Sequence, residues 1–321
     1  MKILIVSRYK SKYPSRQAPF VTEQGEALKA EGCQIEFFLL EGNYFQQFFK
    51  LRKKIKDFNP DIVHAHYGLT AIIAECQSIC PVVTTFHNGE THTWYVNWFS
   101  SLFSLRAKYV IYVAPHIREK LYFKAKHYSI IPCGISLDDC FLMPQNEARR
   151  ELGWSLEKKY ILFGGAFYNL RKNAPLLFEA VEKLHRNDIE IVEMWKLTRR
   201  ECMLMMNATD VFALPTKNEG SPQALKEAMA CNCPIVATDV SDIKYMLGNV
   251  QGHYVLENKR GTQTNWVGDE HSADELAELL TKALSFGRRT AGREQLININ
   301  YTNDLIAKKI LGIYKSIVDR K

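Results

Sequence analysis

The chain has 321 residues, 46% of them hydrophobic and 24% charged, with a formal net charge of +7. That length buries a sizeable core and points to two domains, while no apolar run approaches the roughly 18 residues of a membrane span. The charge is uneven: residues 1–135 hold 17 Lys/Arg against 10 Asp/Glu, the remainder 25 of each, and no nucleic-acid recognition motif accompanies the excess, so nucleic acid is not an expected partner.

In chain order, Met1–Val6 is too short for a secretory signal core and reads as a first strand. Further strands are expected near 35–40, 61–65, 81–86, 109–113 and 128–131. Helices fall between them, near 19–31, 44–57, 68–79, 92–107 and 115–122. Such alternation implies a parallel sheet with helices on both faces. The helix near 44–57 carries Lys50, Arg52, Lys53, Lys54 and Lys56. This run is either a solvated face or a surface for anionic lipid or phosphorylated ligands. The helix from Trp94 holds Trp94, Tyr95, Trp98, Phe99 and Phe103, which read as core packing; contact with a membrane is the alternative.

Pro132-Cys133-Gly134-Ile135 breaks the pattern, which then restarts. Strands are expected near 160–164, 189–193, 211–214, 234–237 and 253–255, and helices near 174–186, 198–208, 222–231, 273–285 and 301–319. No internal repeat or low-complexity segment is present. Of the eight cysteines only Cys76/Cys80 and Cys231/Cys233 are close pairs, and neither continues into a zinc pattern. All eight read as reduced, mostly buried thiols of a cytoplasmic protein.

Glu219 follows the apolar run Val211–Leu214, so a carboxylate stands at the carboxyl end of a strand. Ser221 reads as an N-cap and Pro222 as the first helical position. Open α/β sheets bind nucleotides and phosphates at such corners. Read together, Glu219-Gly220-Ser221-Pro222, Lys226-Glu227-Ala228-Met229-Ala230-Cys231 and Pro234-Ile235-Val236-Ala237-Thr238-Asp239 resemble glycosyltransferase family four, whose E-x7-E motif would be Glu219 and Glu227. The resemblance covers most of the second half and more weakly the first. It is strongest to bacterial members that build capsule, exopolysaccharide or lipopolysaccharide.

The resemblance implies a GT-B fold, α/β with two Rossmann-like domains whose parallel sheets face across a cleft. The domains would be an acceptor-side domain at 1–133, a nucleotide-sugar-binding domain at 134–300, and a last helix at 301–321 packing back on the first. An additional β–α unit, typical after the helix ending near 186, is absent here. The implied activity is retaining transfer of a sugar from a nucleotide-sugar donor to a lipid-linked or growing surface glycan. No metal or other cofactor is implied. Peripheral contact with the inner face of the cytoplasmic membrane through the basic first domain is a further expectation.

Residue by residue, Glu227 falls where the family's second glutamate holds the ribose hydroxyls. Glu219 falls where the first lies near the donor sugar, beside Gly220, Ser221 and Pro222. For the diphosphate, the segment Phe163–Asn173 places Gly165 in a strand-to-helix loop and Lys172 at the family's lysine position, with Asn173 as an N-cap. Ala166 occupies the family's arginine position, leaving Arg171 as the substitute. In the first domain Thr84–Glu90 resembles a His-x-Gly-Asp-like segment, with Glu90 where Asp is common and His87 placed to contact the transferred sugar. His66, with Arg8 and Arg16 of the first loop, is placed on the acceptor side. His64 and His66 are assigned to opposite strand faces, which leaves no metal cluster. Two alternatives share the architecture: a nucleotide-sugar 2-epimerase, and a non-catalytic partner that binds nucleotide sugar or glycan, which the alanine at 166 favours.

Overall fold

A computed structural model describes residues 1–8, 17–262 and 265–319. The chain forms two compact units, Met1–Gly134 with Tyr301–Lys321, and Ile135–Asn300. The described strands of unit one are β1 (Lys2–Arg8), β2 (Gln34–Leu40), β3 (Ile62–His66), β4 (Val82–Phe86), β5 (Tyr109–Tyr112) and β6 (Tyr128–Ile130). They form one parallel sheet in the order β2-β1-β3-β4-β5-β6. Between them run α1 (Pro19–Ala30), α2 (Tyr44–Phe58), α3 (Gly68–Cys76), α4 (Trp94–Ser104) and α5 (Pro115–Lys120), with a 3-10 turn at Gly89–Thr91.

Both faces of this sheet are covered, so β1 is continuously apolar from Ile3 to Val6 rather than alternating. Ile3 and Ile5 pack on one side with Val21 and Leu28 of α1, whereas Leu4 and Val6 pack on the other with Leu51 and Ile55 of α2 and Ala71 and Ala74 of α3.

Unit two contains α6 (Gln145–Leu152), β7 (Lys159–Phe163), α7 (Ala174–Glu182), β8 (Ile189–Glu193), α8 (Arg199–Ala208), β9 (Val211–Leu214), α9 (Gln223–Ala230), β10 (Ile235–Thr238), α10 (Ile243–Leu247), β11 (His253–Leu256), α11 (Ser272–Phe286) and α12 (Gly292–Asn298). Its described strands are also all parallel, in the order β11-β10-β9-β7-β8. Helices α6, α10 and α12 are short and escape a periodicity reading of the sequence.

The chain then returns to unit one as α13 (Asn303–Val318), whose Ile306, Ala307, Ile310 and Tyr314 complete the core on the Ile3 side of the sheet. Burying Ile306 and Ile310 contributes about 1.5–3 kcal/mol for each side chain. Five cysteines are buried, Cys76 is exposed, and all eight are free thiols.

Helix α4 overturns the core-packing expectation. Its buried residues are Asn97, Ser100, Ser101 and Ser104, while Trp94 is 72% exposed, Tyr95 51%, Trp98 39% and Phe99 47%. The reason is a close approach to α3. A Cβ on Gly68 would stand 2.3 Å from Ser100 Cβ and 2.8 Å from Glu90 Cγ, so only small side chains fit that seam. The aromatic rings therefore go outward.

Candidate functional site

In unit two the chain leaves β7 toward β8 on one side, then crosses back to place β9 on the other side of β7. The loops after β7 and β9 consequently diverge at a switch point, where open parallel sheets leave a crevice for ligands. Lys172 comes from the first loop and Glu219 from the second. Lys172 Nζ donates to Glu219 Oε1 at 2.7 Å, with side chains only 13% and 9% exposed. Thr216 Oγ1 donates to the same carboxylate oxygen at 3.1 Å and lies 3.1 Å from the Arg171 carbonyl. The Lys217 N–H also donates to that carbonyl, at 2.8 Å.

Gly165 is needed for this arrangement, because a Cβ there would meet Lys172 Cγ at 2.9 Å and its Cδ and Cε at 3.3 Å. Arg171 is exposed beside the pair, and Ala166 is buried. Asn173 does stand at the N-cap of α7, but with a left-handed backbone and no side-chain capping bond.

The corner after β9 differs from the capping expectation. Helix α9 begins at Gln223 with Pro222 at the cap position, and Ser221 lies outside it. Ser221 Oγ instead donates to Asp242 Oδ2 at 2.7 Å, and Ser241 Oγ donates to the Gly220 carbonyl. Burial pushes the Asp242 carboxyl up, while buried Lys226, Ser221 and Ser241 pull it back. The loop between Glu219 and Pro222 is thus pinned from the carboxyl end of β10.

Glu227 lies one turn into α9 and is held by Arg199 Nη1 across an ion pair, with side chains 13% and 37% exposed respectively. Arg199 is the first residue of α8, whose start is fixed by a Thr198/Glu201 capping box. Arg199, Thr216, Ser241 and Asp242 are the residues that sequence reasoning missed. Only the Thr198-x-x-Glu201 pattern gave a usable signal, and it marks a helix start without revealing the partner of Glu227.

Unit one holds a second constellation at the carboxyl ends of the neighbouring strands β3 and β4. A strand repeats every two residues, so His64 and His66 share a face, contrary to the expectation above. Their rings stack with centroids 4.5 Å apart. His66 is fully buried rather than presented on an acceptor surface; its Nδ1 lies 3.0 Å from His87 Nε2. Among the described residues its Nε2 is buried without a hydrogen-bond partner, which favours the tautomer whose Nδ1–H donates to His87. His87 Nδ1 lies 3.6 Å from Cys133 Sγ.

Burial lowers the His66 pKa to about 3 and also holds His64 well below its ordinary value, with His66 and His87 adding to the effect on His64. His64 is locked between Tyr314 Oη at 2.5 Å and Thr85 Oγ1 at 2.7 Å. Glu90 is buried and accepts from the Gly68 N–H at 2.9 Å and the His87 N–H at 3.2 Å, tying the loops after β3 and β4 together. His87 itself is half-buried, between the Phe20 and Tyr67 rings. Arg8 is exposed at the end of β1, and Arg16 lies outside the described residues. Among the described residues no group of three His, Cys, Asp or Glu side chains is arranged to hold a metal ion.

The sequence profile described as Glycosyltransferase Family 4 matches residues 16–139, and that described as Glycosyl transferases group 1 matches residues 192–301. The chain belongs to these family-four-type glycosyltransferases, and its two parallel-sheet units are those of the GT-B fold.

Among curated proteins it is 26% identical over 259 residues to TuaC of Bacillus subtilis (strain 168), a protein assigned provisionally as a teichuronic acid biosynthesis glycosyltransferase. That match takes in 71% of this chain and 62% of the relative. Among solved structures, sucrose-phosphate synthase from Thermosynechococcus elongatus superposes with a TM-score of 0.77 at 16% identity, covering 100% of both chains. Anabaena HepE in complex with UDP-glucose gives 0.72 at 14% identity, over 98% of this chain and 100% of its own. The apo lipopolysaccharide outer core galactosyltransferase WaaB gives 0.68 at 12%, covering 100% of both chains. These structural likenesses establish the fold.

Proposed function

We propose that the protein is a retaining glycosyltransferase that moves a sugar from a nucleotide-sugar donor to a lipid-linked or growing bacterial surface glycan, without a metal ion. The observation that carries this reading is the meeting of Lys172 and Glu219 at the β7/β9 switch point. There a basic side chain and a carboxylate stand together at the kind of crevice where open parallel sheets receive ligands. The complex of HepE with UDP-glucose and the assignment of TuaC support the donor and acceptor classes.

On this reading Lys172 and Arg171 neutralise the diphosphate as it leaves, assisted by the N-terminus of α9. The Glu219 carboxylate accepts from sugar hydroxyls, and Glu227, oriented by Arg199, accepts from the vicinal ribose hydroxyls. The bond from the anomeric carbon to the phosphate oxygen breaks. The acceptor oxygen bonds to the same face of that carbon, and its proton passes to the departing phosphate.

Calorimetric titration with UDP-, GDP- and ADP-sugars tests the donor site. One donor class should bind, and Glu227→Ala should abolish that binding; no binding by well-folded protein would overturn the reading. Turnover unaffected by EDTA is expected, and loss restored by Mg²⁺ or Mn²⁺ would refute the metal-free mechanism. A non-catalytic nucleotide-sugar binder is the second reading, favoured by buried Ala166 at the arginine position. It requires that Glu219→Ala and Glu227→Ala leave surface glycan unchanged.

A further inference from the structure

We infer that the outward face of α4, with the loop that follows α5, is an interfacial surface by which unit one seats on an anionic lipid bilayer. This rests on the lipid-linked-acceptor reading for its purpose, while the surface itself is argued from geometry and charge.

Helix α4 is inverted relative to an ordinary surface helix: its serine and asparagine side is buried and its aromatic side faces outward. The loop after α5 extends the same surface. Asn97 Nδ2 donates to the Lys120 carbonyl at 2.8 Å, and Asn97 Oδ1 accepts from the Tyr122 N–H at 3.2 Å. Trp98 and Phe123 meet edge to face with centroids 5.9 Å apart, and Tyr122 is 60% exposed. Indole and phenol rings suit the headgroup level of a bilayer, with one apolar part and one hydrogen-bonding part.

Charge selects the occupant. Between residues 91 and 137 there are six Lys/Arg (Arg106, Lys108, Arg118, Lys120, Lys124 and Lys126) and a single acid, Glu119. Lys120 is half-buried, while Lys124 and Lys126 are exposed, in the same loop as Tyr122. The whole of unit one carries 22 Lys/Arg against 12 Asp/Glu, and unit two 20 against 23. Protein–protein interfaces are depleted in lysine. A two-fold pairing of this surface would set its lysines against one another. Aromatic side chains bordered by lysines fit an anionic leaflet instead, which attracts each nearby lysine by about 1 kcal/mol.

The test uses the full chain with vesicles of phosphatidylcholine alone and of phosphatidylcholine mixed with phosphatidylglycerol, read by co-sedimentation and tryptophan emission. Binding should require phosphatidylglycerol, weaken with salt and shift the emission to the blue. Lys120→Ser/Lys124→Ser/Lys126→Ser should weaken it about a hundredfold, and Trp94→Ser/Trp98→Ser roughly tenfold for each ring. Both variants should keep the thermal melt of the parent, because they alter exposed or half-buried side chains, and should keep its nucleotide-sugar binding.

Equal binding to both vesicle types, no binding to either, or unchanged binding by the variants would overturn the inference. A dimer that the tryptophan variant dissociates, with no vesicle binding, would also overturn it and identify a second copy as the occupant. Vesicle binding with no nucleotide-sugar binding would refute the proposed function and leave this surface standing.

Discussion

The Lys172–Glu219 pair yields the sharpest test of the site. At 2.7 Å the gross Coulomb attraction is about 6 kcal/mol for an effective dielectric constant of about 20. Removing both charges from water offsets most of it, leaving a net coupling of about 2 kcal/mol. Lys172→Met alone strands a carboxylate that keeps its contact with Thr216, at a cost of about 3 kcal/mol. Glu219→Gln alone should cost less, and the double variant should recover the coupling.

The assay is urea unfolding of the four chains on a Trp94→Phe/Trp98→Phe background. The remaining Trp154, Trp195 and Trp266 then all report on unit two. A coupling below about 0.5 kcal/mol would refute the pairing. In the same set, Lys172→Met should weaken UDP or GDP binding by roughly tenfold or more. Glu219→Gln, which leaves the lysine its full charge, should bind the diphosphate at least as well as the parent. Loss of diphosphate binding in Glu219→Gln but not in Lys172→Met would reverse the assigned roles.

Gly68→Ala should destabilise unit one by about 1–3 kcal/mol through overpacking against Ser100, and Ser100→Gly should restore most of the loss in a thermal melt. Burial lowers His253 from 6.5 to about 4, so the folded state is favoured while the ring is neutral. Its contribution is present above pH 6.5 and is lost as pH falls toward 4, by about 3 kcal/mol; His253→Gln should flatten that limb of the stability profile. Burial raises Glu75 from 4.5 to about 8, against opposing effects from Thr84 and Arg106. Its contribution is therefore complete below pH 4.5 and declines as pH rises to 8, by about 4–5 kcal/mol. Glu75→Gln should melt higher than the parent at pH 8, and an unchanged profile would show that the carboxylate is not held neutral.

The strands were legible because each is a short apolar run between turn residues: the expected 211–214 and 189–193 coincide with β9 and β8, and the others fall within a residue or two of their positions. The Glu219 corner was legible for the same reason, since a carboxylate directly after a buried strand has one place to stand. Side-chain partners were not. Hydrophobicity assigns the rings of α4 to a core, and only the glycine-to-serine seam with α3 reverses the helix. Nothing local to Glu227 announces Arg199, which is 28 positions away. Ser221 has the chemistry of a cap, but Asp242 from the neighbouring loop claims its hydroxyl. Such choices are made by elements that meet only after the sheet has formed.

Because Ile306, Ile310 and Tyr314 finish a core begun by Ile3 and Ile5, unit one is discontinuous in the order of synthesis. The ribosome must pass through all of unit two before α13 emerges, a delay of roughly ten seconds or more at ordinary translation rates. During that interval the sheet side that α13 covers lacks its lid, and His64 lacks the tyrosine hydroxyl that locks its ring. The second-made unit can therefore reach its native state before the first-made one. A nascent chain halted before Tyr301 leaves that apolar side of the sheet open to a chaperone.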